Sequence, residues 1–246
     1  MARSDSDEAI PEPKVTTLRG TLAPIHPDGW KFVAIAAAAT ILLFVLWAPA
    51  GWVGLVGTLW VVYFFRDPWR VTPARSGIVV SPADGIVVAL GPAPPPPELA
   101  LGGEAVPRIG IFLNLFDVHI ARAPLGGRVT ARRYTPGRFV NASLDKASTE
   151  NERLALHIAP EAGPGIAFVL IAGLVARRIV CPLYEGQRLA AGERIGLIRF
   201  GSRVDIYLPP PYTPLVALGQ RMVGSETVLA ELRSPTDGAP SAGHQH

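Results

Sequence analysis

From Phe32 to Phe65 the chain carries no charged side chain, and these 34 consecutive residues limit what the N-terminal part of a 246-residue protein can become. Pro49-Ala50-Gly51 interrupts the run near its middle. Each half, about 15 to 17 residues, spans roughly 25 Å as a helix, against a hydrocarbon core of about 30 Å. Trp30, Trp47, Trp52 and Trp60 supply interface anchors. Neither half is polar enough to turn a face to water, which argues against a buried soluble hairpin and for membrane insertion. Lys14, Arg19 and Lys31 precede the run and Arg66, Arg70 and Arg75 follow it. Basic residues on both sides favour two cytoplasmic ends, so residues 25–70 are expected to form a membrane-anchoring helical hairpin, spanning twice or lying shallowly. A single span would put the rest of the chain outside.

That run also explains the composition. Only 17 % of residues are charged and the mean hydropathy is +0.29. The formal net charge of +3 suits an anionic membrane surface. No block of five or more basic residues and no nucleic-acid motif occurs, so nucleic acid is not an expected partner. One cysteine, Cys181, excludes an intramolecular disulfide framework and fits a reducing cytoplasm or a plain core position. No two of the five histidines have metal-ligand spacing, so no metal is expected. Residues 1–24 and 234–246 are polar and read as disordered tails. The first is no secretory signal, because Asp5, Asp7, Glu8 and Glu12 stand where a basic segment belongs.

After Arg66-Asp67-Pro68-Trp69-Arg70 the helical pattern stops. Short β-branched runs recur between glycine-bounded turns: 77–80, 85–90, 108–115, 128–134, 153–158, 166–171, 174–180, 195–200 and 204–208. Residues 71–233 therefore predict a mainly β domain, a glycine-rich sandwich or barrel, long enough for its own core. Gly91 to Pro107, with four prolines in a row, predicts a flexible surface loop. The segment 186–193 (GQRLAAGE) echoes 219–226 (GQRMVGSE), which suggests two similar hairpins related by pseudo-symmetry.

Few residues in this domain invite chemistry. Gly201-Ser202 stands between two apolar runs, with Val204, Ile206 and Leu208 on one face and Asp205 and Tyr207 on the other. Gly-Ser is ordinary turn material, yet Ser202 Oγ can also reach the preceding carbonyl. Attack there would make a backbone ester, and elimination followed by hydrolysis would cut the chain. Asp84, in Ser81-Pro82-Ala83-Asp84-Gly85, sits in a turn where aspartates commonly cap backbone. His119, in Asp117-Val118-His119, follows a strand; His157 lies on the polar face of another. Arg128, Arg132, Arg133 and Arg138 form a basic stretch that suits solvent or lipid head groups.

Together, and in this order, the uncharged hairpin, Arg66-Asp67-Pro68, Ser81-Pro82-Ala83-Asp84-Gly85, Asp117-Val118-His119, Asn151-Glu152-Arg153 and Phe200-Gly201-Ser202 resemble phosphatidylserine decarboxylase precursors, in their short form with a Gly-Ser cleavage pair. The resemblance covers about Ile25 to Glu231. It implies cleavage between Gly201 and Ser202 into a β chain (1–201) and an α chain (202–246), with Ser202 converted to a covalent pyruvoyl cofactor. It further implies Asp84 in self-processing and His119 in decarboxylation of phosphatidylserine to phosphatidylethanolamine through a Schiff base on the pyruvoyl group. The implied setting is the inner membrane with the catalytic domain facing the cytoplasm, and a homodimer is compatible with it. Two positions depart from longer family members: Arg203 stands where they have threonine, and Arg122 where they have a second histidine. Arginine cannot act as a base at neutral pH. Two other readings stay open. A biotinyl- or lipoyl-like carrier needs a lysine at a hairpin tip, and Lys146 is the only lysine of the β domain. A Ser-His-Asp hydrolase would use Ser202, His119 and Asp84 without a G-x-S-x-G elbow.

Overall fold

The structure is a computed structural model that describes residues 23–142, 145, 147–173, 179–198 and 202–233. Both expected tails lie largely outside these residues, as do Lys146 and Arg199 to Gly201. Two 17-residue helices, α1 (Trp30–Leu46) and α2 (Ala48–Phe64), form the N-terminal hairpin. The break falls at Trp47, whose backbone is extended, and Pro49 occupies the first turn of α2, where its missing N–H costs nothing. The helices are tied across by Thr40 Oγ1 and Thr58 Oγ1, 2.9 Å apart, which satisfies both hydroxyls between apolar surfaces. The rest of the hairpin shows apolar side chains outward: Val45 is 78 % exposed and Leu46 71 %. Pro27–Leu46 is long and apolar enough to cross a membrane; Ala48–Phe64 is shorter.

The remainder is mainly β, as the short β-branched runs predict. The strands are β1 (Ile78–Val80), β2 (Gly85–Ala93), β3 (Val106–Leu113), β4 (Ile120–Arg122), β5 (Gly127–Thr135), β6 (Arg153–Ala159), β7 (Ile166–Ile171), β8 (Ile179–Val180), β9 (Arg188–Leu189), β10 (Arg194–Ile198), β11 (Ser202–Tyr207), β12 (Tyr212–Pro214), β13 (Arg221–Met222) and β14 (Val228–Leu232). One antiparallel sheet has eight strands in the order β13-β2-β3-β11-β7-β6-β5-β9. Two three-stranded sheets, β1-β14-β12 and β4-β10-β8, complete the domain. The inward residues of the long sheet, among them Ile109, Ile111, Leu156, Phe168, Val204 and Ile206, share one core with Val79, Ala121, Ile195 and Leu229 of the short sheets. This is sheet-on-sheet packing, with the alternation of the strands setting which side chains are buried.

Two expectations change. The segment from Gly91 to Pro107 is not one loose loop: β2 runs to Ala93, paired with Val106, and a 3-10 turn at Pro97–Leu99 buries Leu99 against Tyr207 and Ala167 on the outer face of the sheet. The four prolines lack N–H donors, so they leave the sheet, but the apolar Leu99 still finds a face to cover. Ser202 likewise is not a linker between strands but the first residue of β11, paired with Leu113.

The echo between 186–193 and 219–226 marks a real repeat. β9 and β13 close opposite edges of the long sheet, against β5 and β2. Val129 N donates to Gln187 O at 2.9 Å, and Val87 N to Gln220 O at 3.0 Å. Near the middle, Val80 N donates to Pro124 O and Arg122 N to Pro82 O, each at 2.8 Å. Strands β1-β2-β3-β11-β12-β13-β14 thus match β4-β5-β6-β7-β8-β9-β10 about an internal two-fold axis, with the second unit inserted between the third and fourth strands of the first.

Candidate active site

Ser202 is wholly buried, and its Oγ has no hydrogen-bond partner among the described residues. Strand alternation puts it on the face of Val204 and Ile206, toward the core between the sheets. An unsatisfied buried hydroxyl costs about 1–3 kcal/mol, so a fold that keeps one at a strand end holds it there against its own stability. Gly201, the other half of the expected cleavage pair, lies outside the described residues.

Register brings Asp84 to the same end of the sheet. Ile86 of β2 faces Phe112 of β3, and Leu113 of β3 faces Ser202 of β11. Asp84, two residues before Ile86, is therefore about two strand spacings, roughly 10 Å, from Ser202 backbone to backbone. It caps no turn in the usual way. Its carboxylate accepts from Arg70 Nη2 at 2.6 Å and from the Gly224 N–H. Burial pushes its pKa up, and Arg70 beside it pulls the other way. The turn itself is held by Ser81, whose Oγ donates to Ala83 O and whose backbone pairs with Thr227 and Ser225.

His119 approaches from the other layer. Its carbonyl accepts from Ile198 N at 3.1 Å, at the end of the strand that leads through residues 199–201 into Ser202. The ring is 1 % exposed and lies 4.3 Å, centroid to centroid, from the ring of Phe64 in the last turn of α2. Phe64 and Phe65, with Val118, Ile120 and Leu197, make the small apolar cluster that seats the hairpin on the β domain. Burial lowers the His119 pKa to about 4, against the opposing pull of Asp117. Nδ1 is 3.0 Å from Asp117 O, which can only accept, so Nδ1 carries the proton and Nε2 is the basic nitrogen. Asp117 itself is a buried carboxylate bonded to Asn114 N and Arg221 Nη2.

These contacts disfavour the hydrolase reading. Asp84 is bonded to Arg70 and Gly224, and among the described residues no hydrogen bond shown joins its carboxylate to the His119 ring. Arg122, at the position where a second histidine was in question, points elsewhere. It is buried and donates to Asp67 Oδ1 at 3.2 Å, Pro68 O and Gly192 O, fastening the hairpin junction to the β domain. His157 lies half-buried on β6 against Thr130, away from the Ser202 strand end. Arg128, Arg132 and Arg133 are bonded on the β5 side of the sheet to Gly186 O, Cys181 O and Glu185. Cys181 is core.

Residues 58–230 match the family model described as phosphatidylserine decarboxylase. The chain belongs to the phosphatidylserine decarboxylase family. Members of this family are carboxy-lyases. Curated relatives agree: the phosphatidylserine decarboxylase proenzyme of Cereibacter sphaeroides is 57 % identical over 213 residues, covering 87 % of this chain and 92 % of that protein. The proenzyme of the same name from Ruegeria pomeroyi is 56 % identical over 86 % of this chain and 97 % of its own length. That from Paramagnetospirillum magneticum is 50 % identical over 94 % and 96 %. Sequence reasoning gave no part to Arg70, Asp117, Arg221 and Phe64, which the structure places against Asp84 and His119 or, for Arg221, against Asp117. Their signal was weak: a charged cluster straight after the uncharged run, and an arginine inside the repeated GQR segment.

Proposed function

We propose that the chain cuts itself between Gly201 and Ser202 and, in the two-chain form, decarboxylates phosphatidylserine at the membrane surface. The observation that carries this reading is the wholly buried Ser202 Oγ, without a hydrogen-bond partner among the described residues, in the chain segment whose Ile198 N–H binds the carbonyl of the buried His119. In the processing step Ser202 Oγ attacks the Gly201 carbonyl carbon, and the Oγ–C bond forms as the peptide C–N bond breaks. Loss of the residue 202 Cα proton then expels the carboxylate of residue 201, and water releases the nitrogen as ammonia. What remains is a pyruvoyl group at the head of residues 202–246. Neutral His119 suits the first proton transfer, because at pH 7 its Nε2 can accept from Oγ. Asp84, kept beside Arg70, completes the polar wall of the same strand ends.

The residues fit a pyruvoyl group. The hydroxyl consumed is one that the fold leaves unsatisfied, and the methyl group that would remain at Cβ needs no hydrogen-bond partner in that apolar setting. Such a group supplies an electrophile for the substrate amine and a sink for the electron pair left when CO₂ departs. Around it the chain supplies three things. Leu113 and the core face of β11 exclude water, which favours loss of charge as neutral CO₂. His119 can hand a proton to the substrate Cα once it has taken one up. The hairpin, which we read as lying in the inner membrane with both ends cytoplasmic, delivers a lipid head group to His119 through the Phe64 contact.

Intact mass of the purified protein tests the proposal. Two fragments are expected, the smaller beginning at a pyruvoyl residue and blocked to Edman sequencing. An active preparation consisting only of uncut chain would overturn it.

A further inference from the structure

Arg66 is the first charged residue after the uncharged run, and among the described residues it has no carboxylate within 4 Å. Its neighbours all do. Arg70 pairs with Asp84 at 2.6 Å, Arg122 and Arg194 with Asp67 at 3.2 and 2.6 Å, and Arg221 with Asp117 at 2.6 Å. Arg66 is held instead by uncharged groups. Nη1 donates to Tyr63 O at 2.8 Å, Nη2 to Phe116 O at 2.7 Å, and the guanidinium stacks 3.7 Å from the Tyr63 ring centroid. These contacts fix its plane and leave it without a direct ion pair among the described residues, although it is only partly exposed and Asp84 and Asp117 act on it only at longer range. A partly desolvated cation without a direct counter-charge is costly, and a site that keeps one suits an anion arriving from outside.

Its position says which anion. Arg66 follows the end of α2 by two residues, which on the membrane reading proposed above puts it where hydrocarbon gives way to head groups. It lies within electrostatic reach of His119, Asp84 and Asp117. We infer that Arg66 binds the phosphodiester of the lipid whose head group enters the site, and so selects a phospholipid over a free amino acid. This rests on the reading of the substrate given above. The substrate carboxylate is the poorer partner. A guanidinium on it would stabilise a charge that CO₂ loss removes, raising the barrier, whereas the phosphate keeps its charge from ground state to transition state. Arg66 therefore contributes uniform binding, and its removal should appear in KM rather than kcat.

The test uses the full-length, cleaved protein in mixed micelles with two substrates, phosphatidylserine and its methyl phosphotriester, in which the phosphate is neutral. Wild type should lose about 10- to 100-fold in kcat/KM on the triester, the range of a hydrogen bond to a charged group. Arg66→Gln should lose a similar factor on phosphatidylserine, mostly in KM, and little more on the triester. Arg66→Lys should recover part of the loss, and both variants should be cut normally on a gel. An equal triester penalty in wild type and Arg66→Gln would overturn the assignment. So would a wild-type penalty below about threefold, which needs no variant. If wild type releases no CO₂ from phosphatidylserine, the functional reading fails together with this one; if it does and the penalties match, only the role of Arg66 fails.

Discussion

The two units of the repeat share strands, bulges and hydrogen bonds, and their two-fold axis makes two equivalent strand ends. Only one of these brings together Ser202 and Asp84 of the first unit with His119 of the second. The register shift in β2 between Val87 and Ala89 recurs in β5 between Val129 and Ala131. Val87 faces Ile111 and Val129 faces Ile158; Ile111 faces Val204 and Ile158 faces Ile166. Stepping back two residues from Val204 and Ile166 matches Ser202 with Pro164. By the same alignment Asp84 matches Gly126 and His119 matches Gly77. The architecture thus supplies the same strand ends twice. What differs is a hydroxyl, a carboxylate and an imidazole on one side, and glycine and proline on the other. The hairpin and its junction also sit at that end, through Phe64 on His119, Asp67 on Arg122 and Arg194, and Arg70 on Asp84. A fold can therefore be duplicated without its site, because backbone pairing needs only patterning whereas the site needs particular atoms at one strand end.

The comparison can be broken most severely at its centre. Ser202→Ala should abolish both cutting and CO₂ release, whereas Pro164→Ala, at the matching strand end, should leave both intact on the same gel and in the same assay. Cutting by Ser202→Ala would mean that another nucleophile is used.

At the next level, Asp84→Ala should accumulate uncut precursor, while Gly126→Asp, which gives the second unit its missing carboxylate, should change neither cutting nor turnover. His119→Ala should lose decarboxylation by on the order of 10² to 10⁴ if it moves the proton. Complete loss of cutting in that variant would show that it serves both steps, and normal CO₂ release would remove it from the mechanism. Its titration is testable separately. With a folded-state pKa of about 4, below the usual 6.5, the unfolded chain binds more protons between those values. Stability should therefore fall as pH drops from about 6.5 toward 4, and Tm measured across that window should fall less in His119→Ala.

A subtler contrast concerns the two glycines that open β2 and β5. A Cβ at Gly85 would press into the carbonyl of Phe112, and one at Gly127 into that of Ala159. Gly85→Ala and Gly127→Ala should both lower stability, by about 1–3 kcal/mol for such overpacking. Only Gly85→Ala, which moves Asp84, should slow cutting. Equal slowing by both would mean that the loss is one of folding.

The smallest difference lies between the paired arginines of the repeat. Arg188 meets Glu161 in solvent, both partners more than 70 % exposed, and Arg188→Ala should cost about 0–1 kcal/mol. Arg221 meets the fully buried Asp117 carboxylate, so Arg221→Ala strands a buried charge and should cost more, about 1–3 kcal/mol. Thermal melts of the two variants that coincide would show that water reaches Asp117.

Much of this was legible in the residues. An uncharged run broken by Pro49 can only fold as two apolar helices, because no position offers a polar face. Period-two alternation in residues 166–171 and 204–208 fixes which side chains are inward, since a strand has two faces and one is buried. The repeated GQR segment announced the duplication because each copy must close a sheet edge with the same backbone bonds. Local pattern could not say that β2 would extend past Gly91, since that depends on a partner at Val106. Nor could it say that the Ser202 hydroxyl would have no hydrogen-bond partner among the described residues, that Arg122 would turn to Asp67, or that Phe64 would lie on His119. Those are outcomes of which elements meet, and residues far apart in the chain have no sequence signature for a contact. Chain order and side-chain type determined the helices, the strands and the list of candidate groups; only the crossing of the sheets and the seating of the hairpin decided which of those groups are desolvated.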